Sequence, residues 1–336
     1  MDVGNPKSIR EPHGLRIMAI APYIGSVLVL MMLPLFIPSY VQSIMTKALI
    51  MAIFAISLDL LLGYVGLVSL GHAAYFGIAG YATGILAVRY GIENFWLVAP
   101  TAILMAGFTG MIFGFLALRS SGGLYFLLIT FATAQLLYSV VLKWRSMTGG
   151  NYGLPGIMRP DLGIHWSMLN TTNFYYFVFI ILILSYFLLY RIINSPFGHA
   201  LQGIREDERR MRALGYNTWA FKYIAFVISA IYAGAAGVLF TYFGGIVAPN
   251  YIGALTSFVP LIMVMIGGVG TLFGPVLGAM LIVWVEYFTS IYAPERWPLI
   301  EGIIFVVVIM YFREGIGVSL RDFWKRVRYR YAGFER

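Results

Sequence analysis

The chain has 336 residues, 60% of them hydrophobic and only 11% charged, with a net charge of +9 and a mean hydropathy of +0.83. A soluble domain of that size would lack the polar surface to cover itself. Cysteine is absent, which excludes disulfides, thiolate metal sites and cysteine nucleophiles.

Apolar runs of roughly 17–25 residues, enough to cross a bilayer as helix, recur along the whole chain. In order they are Ile17–Ile37, Ile44–Leu62, Val68–Val88, Phe95–Leu118, Leu124–Leu142, Phe174–Tyr190, Phe221–Phe243, Thr256–Leu272, Pro275–Ser290 and Trp297–Phe312. The first follows Lys7, Arg10 and Arg16 but is long for a signal peptide and has no small-residue cleavage site, so it reads as a retained span. The predicted fold is an all-α integral membrane bundle of about ten (nine to ten) helices, a single transmembrane domain over residues 1–336.

The third run carries Ala73, Gly77, Gly80 and Gly84 on one helical face, and the seventh carries Ala230–Gly234 and Ala233–Gly237. Small residues at that spacing let another backbone approach closely. Gly267, Gly268, Gly270, Gly274, Pro275 and Gly278 make the eighth-to-ninth region breakable. The plain reading is tight bundle packing; the sharper one is interrupted helices that line a path and rearrange.

Two loops are sizeable, Trp144–Thr172 and Ser195–Asn217, and neither can build a core alone. The second is polar and helix-forming. Ser195 is a good N-cap with Pro196 in the first turn, which predicts a helix from about Phe197 to Arg205. Asp207 can cap a second helix, ended by Gly215 after Leu214. Arg205, Glu206, Asp207, Glu208, Arg209 and Arg210 make a solvated face, while Phe197, Leu201, Ile204, Met211 and Leu214 can enter a partner's groove. The alternative is an insert lying on its own membrane domain.

With ten spans and an inside amino terminus, seventeen of the 23 basic residues fall inside and six outside, in accord with the positive-inside rule. The basic tail at 313–336 reads as a topology and lipid-surface signal, not a nucleic-acid arm. Charge within the spans is sparse. Asp59 is expected near an inner end and Glu286 near an outer end, each able to reach water, while His72 reads as a partner for a neighbouring helix. A proton relay or ion-coupled secondary carrier would want more buried charge, so the lining suits a neutral or zwitterionic solute. There is no phosphate-binding loop of the G-x-x-x-x-G-K-[ST] type, and His13, His72, His165 and His199 show no metal-ligand spacing. Neither an enzyme nor a metal or cofactor site is expected.

Five segments in register resemble the permeases of branched-chain amino-acid ABC importers, closest to the larger, M-type subunit. They are GYVGLVSLGHAAYFGIAGYATG at Gly63–Gly84, GGLYFLLITFATAQ at Gly122–Gln135, TGGNYGLPGI at Thr148–Ile157, the insert and following span from Ser195, and IGGVGTLFGPVLGA at Ile266–Ala279. The resemblance implies a membrane subunit that hydrolyses no ATP itself. Its implied partners are a second homologous permease, two cytosolic ATP-binding subunits and a periplasmic solute-binding protein. The implied location is the bacterial inner membrane, with both termini cytoplasmic and 195–217 as the coupling segment. The coupling positions it implies are Gly198, Ala200, Leu201, Arg205, Glu206, Ala213, Leu214 and Gly215. Ser69, His72, Tyr75, Thr130 and Gln135 would line the solute route, and Gly77, Gly80, Gly84, Gly270, Gly274 and Pro275 would serve packing or hinges. Permeases for urea or short-chain amides share such motifs and remain an alternative.

Overall fold

The computed structural model describes residues 25–292, apart from 120–122, 161–162 and 164–166, together with scattered residues between 296 and 317. Nearly all of the expected basic tail at 313–336, both termini, the start of the first predicted span and most of the last lie outside the described residues.

Helix α1 (Gly25–Leu35) leads through Pro38 into α2 (Ser39–Val65), whose last turns from Leu60 widen into π winding. Nearly every side chain of α2 from Met45 onward is apolar, and the helix is buried all round, as a helix without a polar face must be. Against it pack α7 (Thr171–Ile193), α10 (Thr218–Gly244) and α12 (Phe273–Tyr292), while α4 (Phe95–Ala117) packs on α10 and α5 (Gly123–Lys143) lies beside α4. A four-residue turn of helix, α6 (Arg145–Thr148), follows α5.

Six helices among the described residues are long and apolar enough to cross a bilayer, fewer than the sequence predicts. Two of the predicted spans are interrupted. The run expected from Val68 forms helix only as α3 (His72–Gly84), extended by π winding to Arg89, because residues 66–71 are irregular with Gly66 left-handed at φ 80°. The run expected over Thr256–Leu272 is α11 (Ala254–Gly267), stopped by Gly268 at φ 110°. The break therefore falls at 268–272, and Gly274 and Pro275 belong to the first turn of α12.

Small residues sit at the closest approaches between helices. A methyl group on Gly237 of α10 would strike the Phe76 carbonyl of α3, and one on Gly234 would lie 2.6 Å from Ala106 of α4. A Cβ on Gly80 would lie 2.7 Å from Thr241 Oγ1, and one on Gly84 2.8 Å from Val247. Gly77 faces Ile252 and the Tyr251 backbone. Helices α11 and α12 form an equally close hairpin, with Gly278 against the Met263 carbonyl and Gly267 against Gly274.

The two ends of the bundle differ. At one, the 145–170 segment is tied to the loop after α10 by a short antiparallel pair, β1 (Leu154–Pro155) with β2 (Ile246–Val247), Leu154 opposite Val247. Lys47 and Glu286 pair at 2.6 Å toward this end, so Glu286 meets a cation from α2 as well as water. At the other end, reached through α7, lies the polar insert. Tyr90, Trp96 and Trp144 are exposed at the first end and Tyr190, Tyr216 and Trp219 at the second, the positions amphipathic rings take at membrane interfaces.

Candidate coupling surface and solute route

The insert folds as two helices, α8 (Pro196–Glu206) and α9 (Glu208–Ala213). Ser195 Oγ accepts the Gly198 N–H at 3.4 Å and Asp207 Oδ1 accepts the Arg210 N–H at 3.0 Å, so both predicted caps form. Gly198, Ala200, Leu201 and Ile204 are buried, against α7, α10 and the π-wound end of α2. The expectation that Leu201 and Ile204 enter a partner's groove is thus revised: α8 has one apolar face, and its own membrane domain covers it. Phe197 stacks on Phe221 of α10, centroids 5.3 Å apart, and Met211 of α9 packs against Gly203 of α8.

The solvent side of the insert includes His199, Arg205, Glu206, Arg209, Arg210, Ala213, Leu214 and Gly215, with Leu214 67% exposed. Of the coupling positions implied by resemblance, then, Arg205, Glu206, Ala213, Leu214 and Gly215 face outward, while Gly198, Ala200 and Leu201 anchor the helix from behind.

Glu208 is the anchor of α9. It accepts hydrogen bonds from Arg212 (2.6 Å), Thr218 (3.0 Å) and Lys222 (2.6 Å). Burial alone would raise its carboxyl, but the bonds from Lys222 and Arg212 outweigh that and hold it at about 2. Sequence reading assigned Glu208 only to a solvated face; the i, i+4 spacing to Arg212 is visible in the chain, but the reach to Lys222 is not.

Arg205 is exposed along the insert, but its guanidinium reaches back to the membrane domain. Its Nη1 donates to the Gly63 carbonyl at the end of α2. Beside that contact Asp59 is fully buried and accepts the Gly270 and Leu272 N–H groups, at 2.7 and 3.2 Å. The expectation that Asp59 reaches water is overturned by these bonds.

Ser69, His72, Tyr75 and Thr130 come together where the irregular 66–71 segment enters α3, and all four are buried. Thr130 Oγ1 accepts the Leu70 N–H at 3.3 Å, and Ser69 Oγ accepts the Gly71 N–H at 3.3 Å, so the two hydroxyls serve the interrupted backbone. His72 Nε2 lies 2.8 Å from Ser229 Oγ, and Tyr75 sets its ring edge-on to Phe226 at 5.6 Å. Gln135, on α5, is half-buried and stands apart from them. A cavity of about 210 Å³ lies elsewhere, between α2, α10 and α12, lined by Ser43, Lys47, Phe243 and Glu286. Ser57 and Ser229, which sequence reading did not single out, are the actual partners of the His72 region. Among the described residues no group of three His, Asp or Glu side chains is arranged to hold a metal ion.

Glycine-packed, interrupted helices around a buried central span, with a polar helical insert at one end, define a multi-pass α-helical membrane protein. The family model described as branched-chain amino acid transport system / permease component matches residues 40–310, and the chain belongs to that family. It is 32% identical over 262 residues to the high-affinity branched-chain amino acid transport system permease protein LivM of Escherichia coli (strain K12), covering 71% of this chain and 61% of that protein. A probable branched-chain amino acid transport permease protein LivM of Methanocaldococcus jannaschii is 27% identical, covering 71% of this chain and 78% of its own length. The LivH permease of Escherichia coli (strain K12) is 24% identical, covering 79% and 90%. The chain spans about three fifths of the length of the LivM relatives from Escherichia coli and Salmonella typhimurium. No solved structure matches it.

Proposed function

We propose that this chain is the membrane permease subunit of an ATP-driven importer for branched-chain or related amino acids. It pairs with a second homologous permease, rests on two cytosolic ATP-binding subunits and receives solute from a periplasmic binding protein. It lies in the bacterial inner membrane, with both termini and the insert on the cytoplasmic side. The observation that carries this reading is the insert: a capped helix pair, rigidly seated by Leu201, Ile204 and Glu208, that presents Glu206, Arg209 and Leu214 to solvent in a chain of this family. A surface so fixed to the bundle transmits force instead of absorbing it. Closure of the ATPase pair would press on α8 and α9, and the bundle would exchange outward- and inward-open forms. Buried polar groups here are mostly hydroxyls bonded to backbone, which supports a neutral or zwitterionic cargo over an ion-coupled carrier.

Purification of the tagged chain from its native membrane tests this. ATP-binding subunits and a second permease should accompany it, and the reconstituted complex should take up leucine, isoleucine or valine only with ATP and the binding protein. ATP-independent uptake by the chain alone would overturn the proposal.

A further inference from the structure

The turn between α11 and α12 has an unusual backbone. Gly268 and Gly270 are left-handed at φ 110° and 77°, and Leu272 adopts φ 54°, a sterically unfavourable region for a residue with a side chain. Such a conformation persists only where the surroundings enforce it. Here the enforcing group comes from another element. The carboxylate of Asp59, fully buried on α2, takes the Gly270 N–H at 2.7 Å and the Leu272 N–H at 3.2 Å, one with each oxygen. There is no slack in this junction, since a Cβ on Gly63 would collide with Asp59 and lie 2.6 Å from Gly270 Cα. The third party is α8: Arg205 donates to the Gly63 carbonyl, and its Nη1 lies 3.4 Å from where a Cβ on Gly270 would sit.

We propose that Asp59 is a positioning residue that fastens the α11–α12 turn to α2, and that Arg205 is the side chain through which movement of α8 reaches this junction. A buried carboxylate stripped of its donors is costly, and charge-assisted bonds of this kind are strong. The turn and the end of α2 therefore travel together when α8 is pushed, and both interrupted regions feel the displacement at one point. The inference rests on reading α8 as the coupling helix.

The test uses the whole complex with its binding protein in proteoliposomes, comparing Asp59→Asn, Arg205→Gln and Arg205→Lys. Asparagine cannot accept both N–H groups without turning a donor toward one of them. Asp59→Asn and Arg205→Gln should retain their ATPase subunits and hydrolyse ATP, yet solute carried per ATP should fall by about tenfold, within the ordinary range of coupling between sites. Arg205→Lys, which keeps a donor for the Gly63 carbonyl, should recover much of it, as a merely structural role for the guanidinium would not require. Assembled Asp59→Asn and Arg205→Gln complexes with wild-type stoichiometry would overturn the inference. If Asp59→Asn fails to assemble, Arg205→Gln decides, because its side chain lies at the surface and a wild-type ratio there overturns the latch. A wild-type chain that holds no ATPase would instead remove the coupling reading beneath it.

Discussion

His72 of α3 and Ser229 of α10 lie 2.8 Å apart, and Ser229 gives its own proton to the Ser57 carbonyl of α2. The hydroxyl proton is thereby committed, so His72 must donate through Nε2, an assignment made from the hydrogen-bond network. Three helices are joined by two side chains, and His72 Nδ1 is buried without a partner. That geometry fits a structural histidine. His72→Ala should lower the stability of the detergent-solubilised subunit by about 2–3 kcal/mol, from the lost bond and the cavity left behind. Transport per assembled complex should stay near wild type. Abolished uptake in a complex that still forms and hydrolyses ATP would place His72 on the solute route.

Enlarging the glycine stripes should also destabilise the bundle. Gly237→Ala sets a methyl against the Phe76 carbonyl, which is backbone and cannot swing aside, so a loss of about 1–3 kcal/mol from overpacking is expected. Gly80→Leu, against Thr241 and Val247, should cripple assembly outright. Thermal melting and the yield of folded protein would check both; a Gly80→Leu subunit with wild-type yield would mean that α3 and α10 need not approach so closely.

The exposed and the buried face of the insert separate docking from folding. Leu214→Asp changes a side chain that is 67% exposed, so the subunit should fold while its ATPase is lost from co-purification. Leu201→Asp places a carboxylate in a fully buried position, at several kcal/mol unless protonated, and should prevent folding of the subunit itself. Arg209→Ala should change little, since exposed charges contribute about 0–1 kcal/mol. Normal ATPase recovery with Leu214→Asp would move the docking surface away from α9.

Acid should loosen the insert. Glu208 is held at about 2 against an ordinary 4.5, so its stabilisation is complete above the ordinary value and disappears as pH falls from 4.5 toward 2. With the carboxylate partly in water, the amount is on the order of 1 kcal/mol. Glu208→Gln should melt below wild type near neutral pH, and the gap should close in strong acid. A gap that stays constant with pH would show that the charge is not what matters.

Orientation can be read with single cysteines, because the chain has none. Ser146→Cys, exposed on α6, should react with an impermeant reagent in intact cells, and Arg209→Cys only after permeabilisation. The reverse pattern would invert the proposed topology.

Much of this was legible in the chain. Apolar runs of membrane length, the Ser195 and Asp207 caps and the small-residue steps at Gly77–Gly84 and Ala230–Gly237 are local signals, set by hydrophobicity, hydrogen-bond capacity and helical period, and they need no knowledge of neighbours. The same local signals could not say that α3 starts at His72 or that α11 stops at Gly267, because a glycine within an apolar run is compatible with helix until a side chain of another element supplies partners for the freed groups. Thr130 does so for Leu70, and Asp59 for Gly270 and Leu272. Nor could the amphipathic pattern of α8 tell whether Leu201 seeks a partner protein or its own bundle. An apolar face specifies only that it must be covered; what covers it is decided by packing with other elements, here the end of α2, more than a hundred residues away along the chain, and the start of α10, beyond α9.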